Sequence, residues 1–179
     1  DAIKMLTVNA ASGFGSGGKT YLKFGSDEIP TMSSTTAPSG IVTSSSDTGG
    51  YWDWYAFEDG SVDPSKRWDS NVTIATDNAQ YIGYEFAGPK LIQQYTIRQS
   101  GSGQGPSDWT FEGWNGSSWV TIHTVVGQTG GSGIHVRTYN DRHFTNETTY
   151  TKYRWVISGC AGGSTQTPTI YEIEMMVAI

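Results

Sequence analysis

Two short aromatic runs, Trp109-Thr-Phe-Glu-Gly-Trp114 and Trp119-Val-Thr-Ile122, flank an Asn115-Gly116 pair, the strongest short-range signal for a β-hairpin. Side chains of a strand alternate between faces, so Trp109 and Phe111 share one face, as do Val120 and Ile122, with Thr121 turned away. Similar stretches recur about every ten residues from position 80 onward, separated by Gly, Ser and Asn. No comparably long stretch has the 3.6-residue period of an amphipathic helix. The chain is therefore predicted to be an all-β sandwich, which excludes most nucleotide-dependent enzymes.

The strands can be placed coarsely. Gln80–Phe86 puts Ile82, Tyr84 and Phe86 on one face. Leu91–Arg98 turns Tyr95 and Ile97 inward and Thr96 and Arg98 outward. Tyr150–Ser158 sets Tyr153, Trp155 and Ile157 against Arg154 and Val156, and Thr169–Val177 sets Ile173 and Met175 against Glu172 and Glu174. Alternation with one polar face is what an antiparallel sheet packed on one side requires. Ile82, Tyr84, Phe86, Tyr95, Ile97, Trp109, Phe111, Trp155, Ile157 and Ile173 are the predicted core.

Residues 1–32 read differently. Ala2–Val8 and Lys19–Phe24 are expected strands across the Gly/Ser loop Gly13–Gly18, a small hairpin or docking element. Ser33–Gly40 is polar and contains Pro38, as in a linker or approach loop, so a boundary is expected near residue 33, with an extension over 1–32 and the sandwich over 33–179. The start at Asp1, without Met or a visible signal peptide, reads as a processed end or a chosen boundary.

A net charge of −6 with only 11 Lys and Arg argues against a nucleic-acid footprint and against binding to anionic membranes. Glycine at 23 of 179 residues, with 7 Trp, 10 Tyr and 6 Phe, suits short strands joined by tight turns and surfaces that stack on flat ligands. The lone Cys160 allows no internal disulfide and has no nearby His to activate it, so it is expected as a small half-buried residue at a strand end. His123, His135 and His143 are scattered without metal-ligand spacing, and no phosphate loop, nucleophile elbow or catalytic carboxylate pair is visible. The chain is read as non-catalytic.

Several segments, in order, resemble the discoidin or coagulation factor 5/8 type C domains, whose galactose-binding-like fold includes the family 32 carbohydrate-binding modules. They are Trp54-Tyr-Ala-Phe-Glu-Asp-Gly60 with Arg67-Trp68, Gln80-Tyr-Ile-Gly-Tyr-Glu-Phe86, Tyr95-Thr-Ile-Arg98, Asp108-Trp-Thr-Phe-Glu-Gly113, Asn115-Gly-Ser-Ser-Trp119, Tyr153-Arg154 and Tyr171-Glu-Ile-Glu-Met175. The resemblance covers roughly residues 41–177 and implies an antiparallel, eight-stranded jelly-roll β-sandwich.

It also implies two sites. The first is a structural calcium ion, held by backbone carbonyls at Phe57 and Val62, by Asp59, by the hydroxyl of Ser65 and by Glu172 of the last strand; a hard cation of this kind wants six to eight oxygens. The Gly60–Trp68 loop is longer than the family's usual one, which could move Ser65 out of reach or bring in Asp63. The second is a glycan site on the loops Ser46–Asp53, Arg98–Ser107 and Gly159–Thr167, where Tyr51 and Trp52 would stack on sugar C–H faces and Arg98, Gln99, Gln104 and Thr165 would bond hydroxyls. The Gly-rich second and third loops lack aromatics, so a membrane-inserting spike is not expected. These features predict a carbohydrate-binding, lectin-like or adhesin module on an extracellular, cell-surface or virion-surface assembly. The alternative is a structural or decoration subunit of a virion, fiber or filament, using the sandwich for protein contacts and residues 1–32 for docking.

Overall fold

The computed structural model describes residues 21–60, 63–128 and 133–179. Among these are nine strands: β1 (Ile41–Ser44), β2 (Trp68–Asp69), β3 (Gln80–Lys90), β4 (Gln94–Ser100), β5 (Pro106–Trp114), β6 (Trp119–Val125), β7 (Ile134–Tyr139), β8 (Tyr150–Cys160) and β9 (Thr169–Met176). They form a five-stranded sheet in the order β1-β3-β8-β5-β6 and a four-stranded sheet in the order β2-β9-β4-β7. Every pairing is antiparallel. The resemblance implied eight strands; the described residues hold nine, the shortest being two-residue β2, where Trp68 and Asp69 pair with β9. One 3₁₀ turn (Asp53–Phe57) and one helical turn (Ile74–Asp77) are the only helical pieces among the described residues.

Alternation places the core as expected. Tyr84, Tyr95, Trp109, Phe111, Trp155, Ile157 and Ile173 are at most 1 % exposed, and Ile82, Phe86 and Ile97 are also buried. Val120 and Ile122 are only half-buried, because β6 is an edge strand that packs on the core from one side. The β5–β6 turn is longer than a two-residue Asn-Gly turn, since Trp114 pairs with Trp119. Asn115 Oδ1 accepts the Ser117 and Ser118 N–H groups at 2.9 Å each, and Gly116 takes φ +100°, which a residue with a Cβ disfavours.

The packing of the sandwich begins before residue 33. Ala2–Val8 lies outside the described residues. Of the expected strand Lys19–Phe24, Phe24 bridges Ala178. Gly25 and Glu28 then donate backbone N–H groups to Val177 and Met175, and Ile29 and Met32 enter the core. Ser33–Gly40 carries no strand, and the apolar pair Ile29 and Met32 just before it shares the core of the strands.

Asp27 fixes this segment. Its Oδ1 accepts N–H groups from Met175 at 2.7 Å and Ile29 at 3.1 Å, whereas its buried Oδ2 has no partner. Burial, with smaller contributions from Asp59 and Glu174, outweighs those bonds and raises its carboxyl to about 7. The folded state therefore holds a proton that the unfolded chain releases near pH 4, and stability falls as pH rises from about 4 to about 7. Asp27→Asn keeps the accepting oxygen and removes the charge. Urea denaturation should show the variant about 1–3 kcal/mol more stable than wild type at pH 8, with a flatter profile between pH 4 and 7.

Candidate functional site

Register places five connections at one end of the sandwich. Ser44 pairs with Ile82, Asp69 with Thr169, Gln99 with Ile170, Trp109 with Val125 and Pro106 with Cys160, so the segments after β1, β2, β4, β6 and β8 emerge together. The Phe24–Ala178 bridge, beyond the far end of β9, lies at the opposite end.

The first of these loops is tied down from beneath. Gln80 Oε1, on a side chain 1 % exposed, accepts hydroxyls from Ser45 at 2.7 Å and from Ser46 and Ser70 at 2.9 Å. Trp68 is fully buried and donates its indole N–H to the Ser46 carbonyl at 2.8 Å. The Thr48 N–H donates to the Asp69 carbonyl, the Asp69 N–H to the Tyr51 carbonyl and the Tyr51 N–H back to the Thr48 carbonyl. Trp52 rides on this base, 42 % exposed, just before the 3₁₀ turn. The neighbouring Tyr51 ring lies over the Arg67 guanidinium, 4.0 Å from Cζ to centroid. Arg67 in turn bonds Asp69 through Nε at 2.9 and 3.0 Å and the Pro64 carbonyl through Nη1 at 2.6 Å. Tyr51 is thus a half-buried ring of fixed orientation, and Trp52 is an exposed one.

The other two loops are stitched to each other. Gly162 donates its N–H to the Gly103 carbonyl, Ala161 to Gly105 and Thr169 to Gln104. The Gln104 side chain donates to Thr167 Oγ1 at 3.3 Å. Thr165 is exposed. Ser70 N–H reaches the Pro168 carbonyl, which joins this pair of loops to the first.

Two expected glycan residues stand elsewhere. Strand β4 runs to Ser100, so Gln99 is an inward-facing strand residue, 1 % exposed, and its amide donates to the Pro106 carbonyl at 2.9 Å. It cannot reach a ligand. Arg98 points outward from the same strand, and its guanidinium lies 3.8 Å from Glu172 on β9. A residue expected at the glycan site therefore meets one expected at the metal site.

The expected calcium residues are partly gathered. Gly60 N–H donates to Glu172 Oε1 at 2.7 Å, which brings the Asp59 loop onto β9, and Asp59 Oδ2 accepts the Thr31 hydroxyl at 2.7 Å. Burial first, then Glu174 and Asp59, raise the Glu172 carboxyl, while the Gly60 N–H and Arg98 act against them. The Phe57 side chain is buried and its carbonyl accepts the Met32 N–H; Val62 lies outside the described residues. Ser65 is turned away, its hydroxyl and N–H both donating to Asp63 in a local turn that the longer loop permits. Among the described residues no three His, Cys, Asp or Glu side chains come together as a metal site, so side chains alone do not complete a calcium shell.

No family model matches the chain, and no curated protein matches it in sequence. Solved structures do match in fold. The family 32 module of C. perfringens NanJ, solved with galactose, superposes with a TM-score of 0.59 over 77 % of this chain and 93 % of its own, at 12 % identity. The fold is that of the family 32 carbohydrate-binding modules. The module of Streptococcus pneumoniae EndoD gives 0.59 over 79 % of this chain and 98 % of its own at 15 % identity. Chitosan-binding module 1 of a Paenibacillus sp. IK-5 chitosanase/glucanase gives 0.54 over 76 % and 93 % at 23 % identity.

Within this fold, Arg67 stands beside the candidate residue Tyr51, although the sequence reading did not mark it as a candidate. The signal was present: Arg67 and Asp69 flank the inward Trp68 and so share the outer face of β2, beside Tyr51. The pair is mostly buried, and removing one partner strands the other's charge. Arg67→Ala should cost about 3 kcal/mol in chemical denaturation. Adding Asp69→Asn should recover much of that loss, which a purely steric role for Arg67 would not allow.

Proposed function

We propose that this chain is a non-catalytic carbohydrate-binding module of lectin or adhesin type. The observation that carries the reading is the loop end, where an exposed Trp52 stands on a hydrogen-bonded base beside the Tyr51–Arg67–Asp69 stack. A sugar offers a C–H face to such a ring and hydroxyls to planar groups near it. Galactose in the NanJ module and chitosan in the Paenibacillus module's name are neighbours' ligands that point to the same chemical class. Gln104, held by Thr167, and the exposed Thr165 are the polar groups that the other loops contribute.

An extracellular setting, on a cell surface or virion surface, fits a module of this kind. No helix among the described residues is long and apolar enough to cross a membrane. Because the Phe24–Ala178 bridge lies at the end opposite the loops, attachment through residues 1–32 would leave the loop end facing outward.

A structural calcium ion is part of the same proposal. Asp59 and Glu172 would hold it, with the remaining oxygens drawn from backbone carbonyls of the Phe57–Ser65 loop and from water. It would tie that loop to β9, where the Gly60–Glu172 bond already holds it, and its charge would offset the carboxylates gathered there.

Two measurements test these readings. On a glycan array, binding is expected in the micromolar-to-millimolar range, and Trp52→Ala should weaken it by about 1–3 kcal/mol without altering the fold. No binding on a broad array, with Trp52 found in a subunit contact, would replace the adhesin reading with that of an assembly subunit. For calcium, a chelator should lower the melting temperature of wild type but not of Asp59→Ala. Identical wild-type melting curves with and without chelator would remove the ion from the proposal.

A further inference from the structure

The outer face of the five-stranded sheet carries a second aromatic and polar arrangement, on a different surface from the loop end. Gly83 on β3 lies in register between Thr43 of β1 and Arg154 of β8. A Cβ at Gly83 would stand 2.6 Å from the Tyr153 carbonyl oxygen and 2.9 Å from the Arg154 Cβ, so this point of the sheet stays bare. Around it is a depression of about 230 Å³, walled by Tyr81 and Trp119 and rimmed by Glu85, Lys152 and Arg154.

Its polar groups are held in place before any ligand arrives. The Arg154 guanidinium lies 4.1 Å from the Trp119 ring centroid and 5.7 Å from that of Tyr81. Its Nε and Nη2 both bond Glu112 Oε2, at 2.8 and 2.7 Å. On the neighbouring row, Lys152 Nζ sits 2.9 Å from Glu85 Oε2. Each cation beside the depression has its own carboxylate, so the surface offers fixed donors and acceptors with little net charge. An anionic ligand would have to displace a carboxylate, and a wholly apolar one would strand the polar rim without partners.

We propose that this depression is a second carbohydrate subsite that takes one neutral pyranose ring. The C–H face of the sugar packs on Trp119 and Tyr81, and its hydroxyls bond Glu85, Lys152 and the Arg154 guanidinium. This subsite lies on a different surface from Trp52, and it stands whether or not the loop end binds glycans.

The test is an NMR titration of the full chain with galactose, N-acetylglucosamine and, as an anionic comparison, glucuronate. A neutral sugar should produce saturable shifts in the Gly83 and Arg154 amides and in the Trp119 indole, with a dissociation constant in the millimolar range. Trp119→Ala should weaken that response on the order of tenfold. Lys152→Ala, a rim change that leaves the hairpin intact, should also weaken it. The response should persist in Trp52→Ala, so that failure of the loop-end site and failure of this one are separable. Three results would overturn the proposal: no saturable shift at these positions with either neutral sugar up to tens of millimolar, shifts with glucuronate alone, or shifts that follow protein concentration as in self-association.

Discussion

Tyr95 is the side chain through which the two sheets are joined. It projects from β4 of the four-stranded sheet and is wholly buried against Phe111 and Trp155 of the five-stranded sheet, with ring centroids 4.7 and 5.5 Å away. A tyrosine at the centre of a core is stable only if its hydroxyl is paired. Trp109 donates its indole N–H to that oxygen at 3.0 Å, and the Tyr95 O–H faces His123 Nδ1 at 2.9 Å. Burial, with His143 nearby, lowers His123 to about 4, so the imidazole is neutral and Nδ1 accepts the phenol proton. The same burial pushes the Tyr95 phenol upward, so it keeps that proton. These three residues, from β4, β5 and β6, thus pair the buried Tyr95 hydroxyl from both sides.

A core fastened in this way leaves function to surfaces that do not carry the fold. Backbone groups within the strands are spent on pairing, and inward side chains on packing. What remains are the loops at the ends and the outer faces of the sheets. The loop end is made firm by buried polar groups such as Gln80, which collects three serine hydroxyls, rather than by apolar contact. That choice matters for a binding surface. Loops held by directional bonds lose little freedom when a ligand arrives, and for a small ligand with few contacts that retained entropy is a large share of the affinity.

Period-two alternation made the strands and their buried faces legible in the sequence, because burial on one side is a repeated constraint that every strand residue reports. Gln99 and Ser65 were harder. Gln99 is polar, next to a loop and of a residue type that suits sugar binding; only the extension of β4 to Ser100, dictated by pairing with β7 and β9, turns it inward. Ser65 stands near the expected hydroxyl position, but its conformation is decided by Asp63 two residues away, a local competition that spacing to Trp68 does not reveal. The Asp27 carboxylate was invisible for another reason. Its partner is the backbone of Met175, far along the chain, and no side-chain pattern announces a backbone bond. Local periodicity is written into neighbouring residues, whereas site chemistry depends on which distant segments the topology brings together.

One arrangement recurs among the described residues and connects the chain's acidic character with the kind of ligand it suits. At the loop end, Arg67 lies under Tyr51 and is held by Asp69; on the sheet face, Arg154 lies by Trp119 and is held by Glu112. In each case the carboxylate fixes the guanidinium, the guanidinium fixes the ring, and the set has no net charge. With Arg67 and Arg154 held in this way, neither surface of this chain of net charge −6 presents an unpaired guanidinium. Both are oriented aromatic faces bordered by planar donors and acceptors. Such surfaces have little to offer a phosphate or a nucleic acid, where attraction depends on unneutralised positive charge. They match the mixed character of a neutral sugar, whose ring is apolar on its faces and polar at its edge.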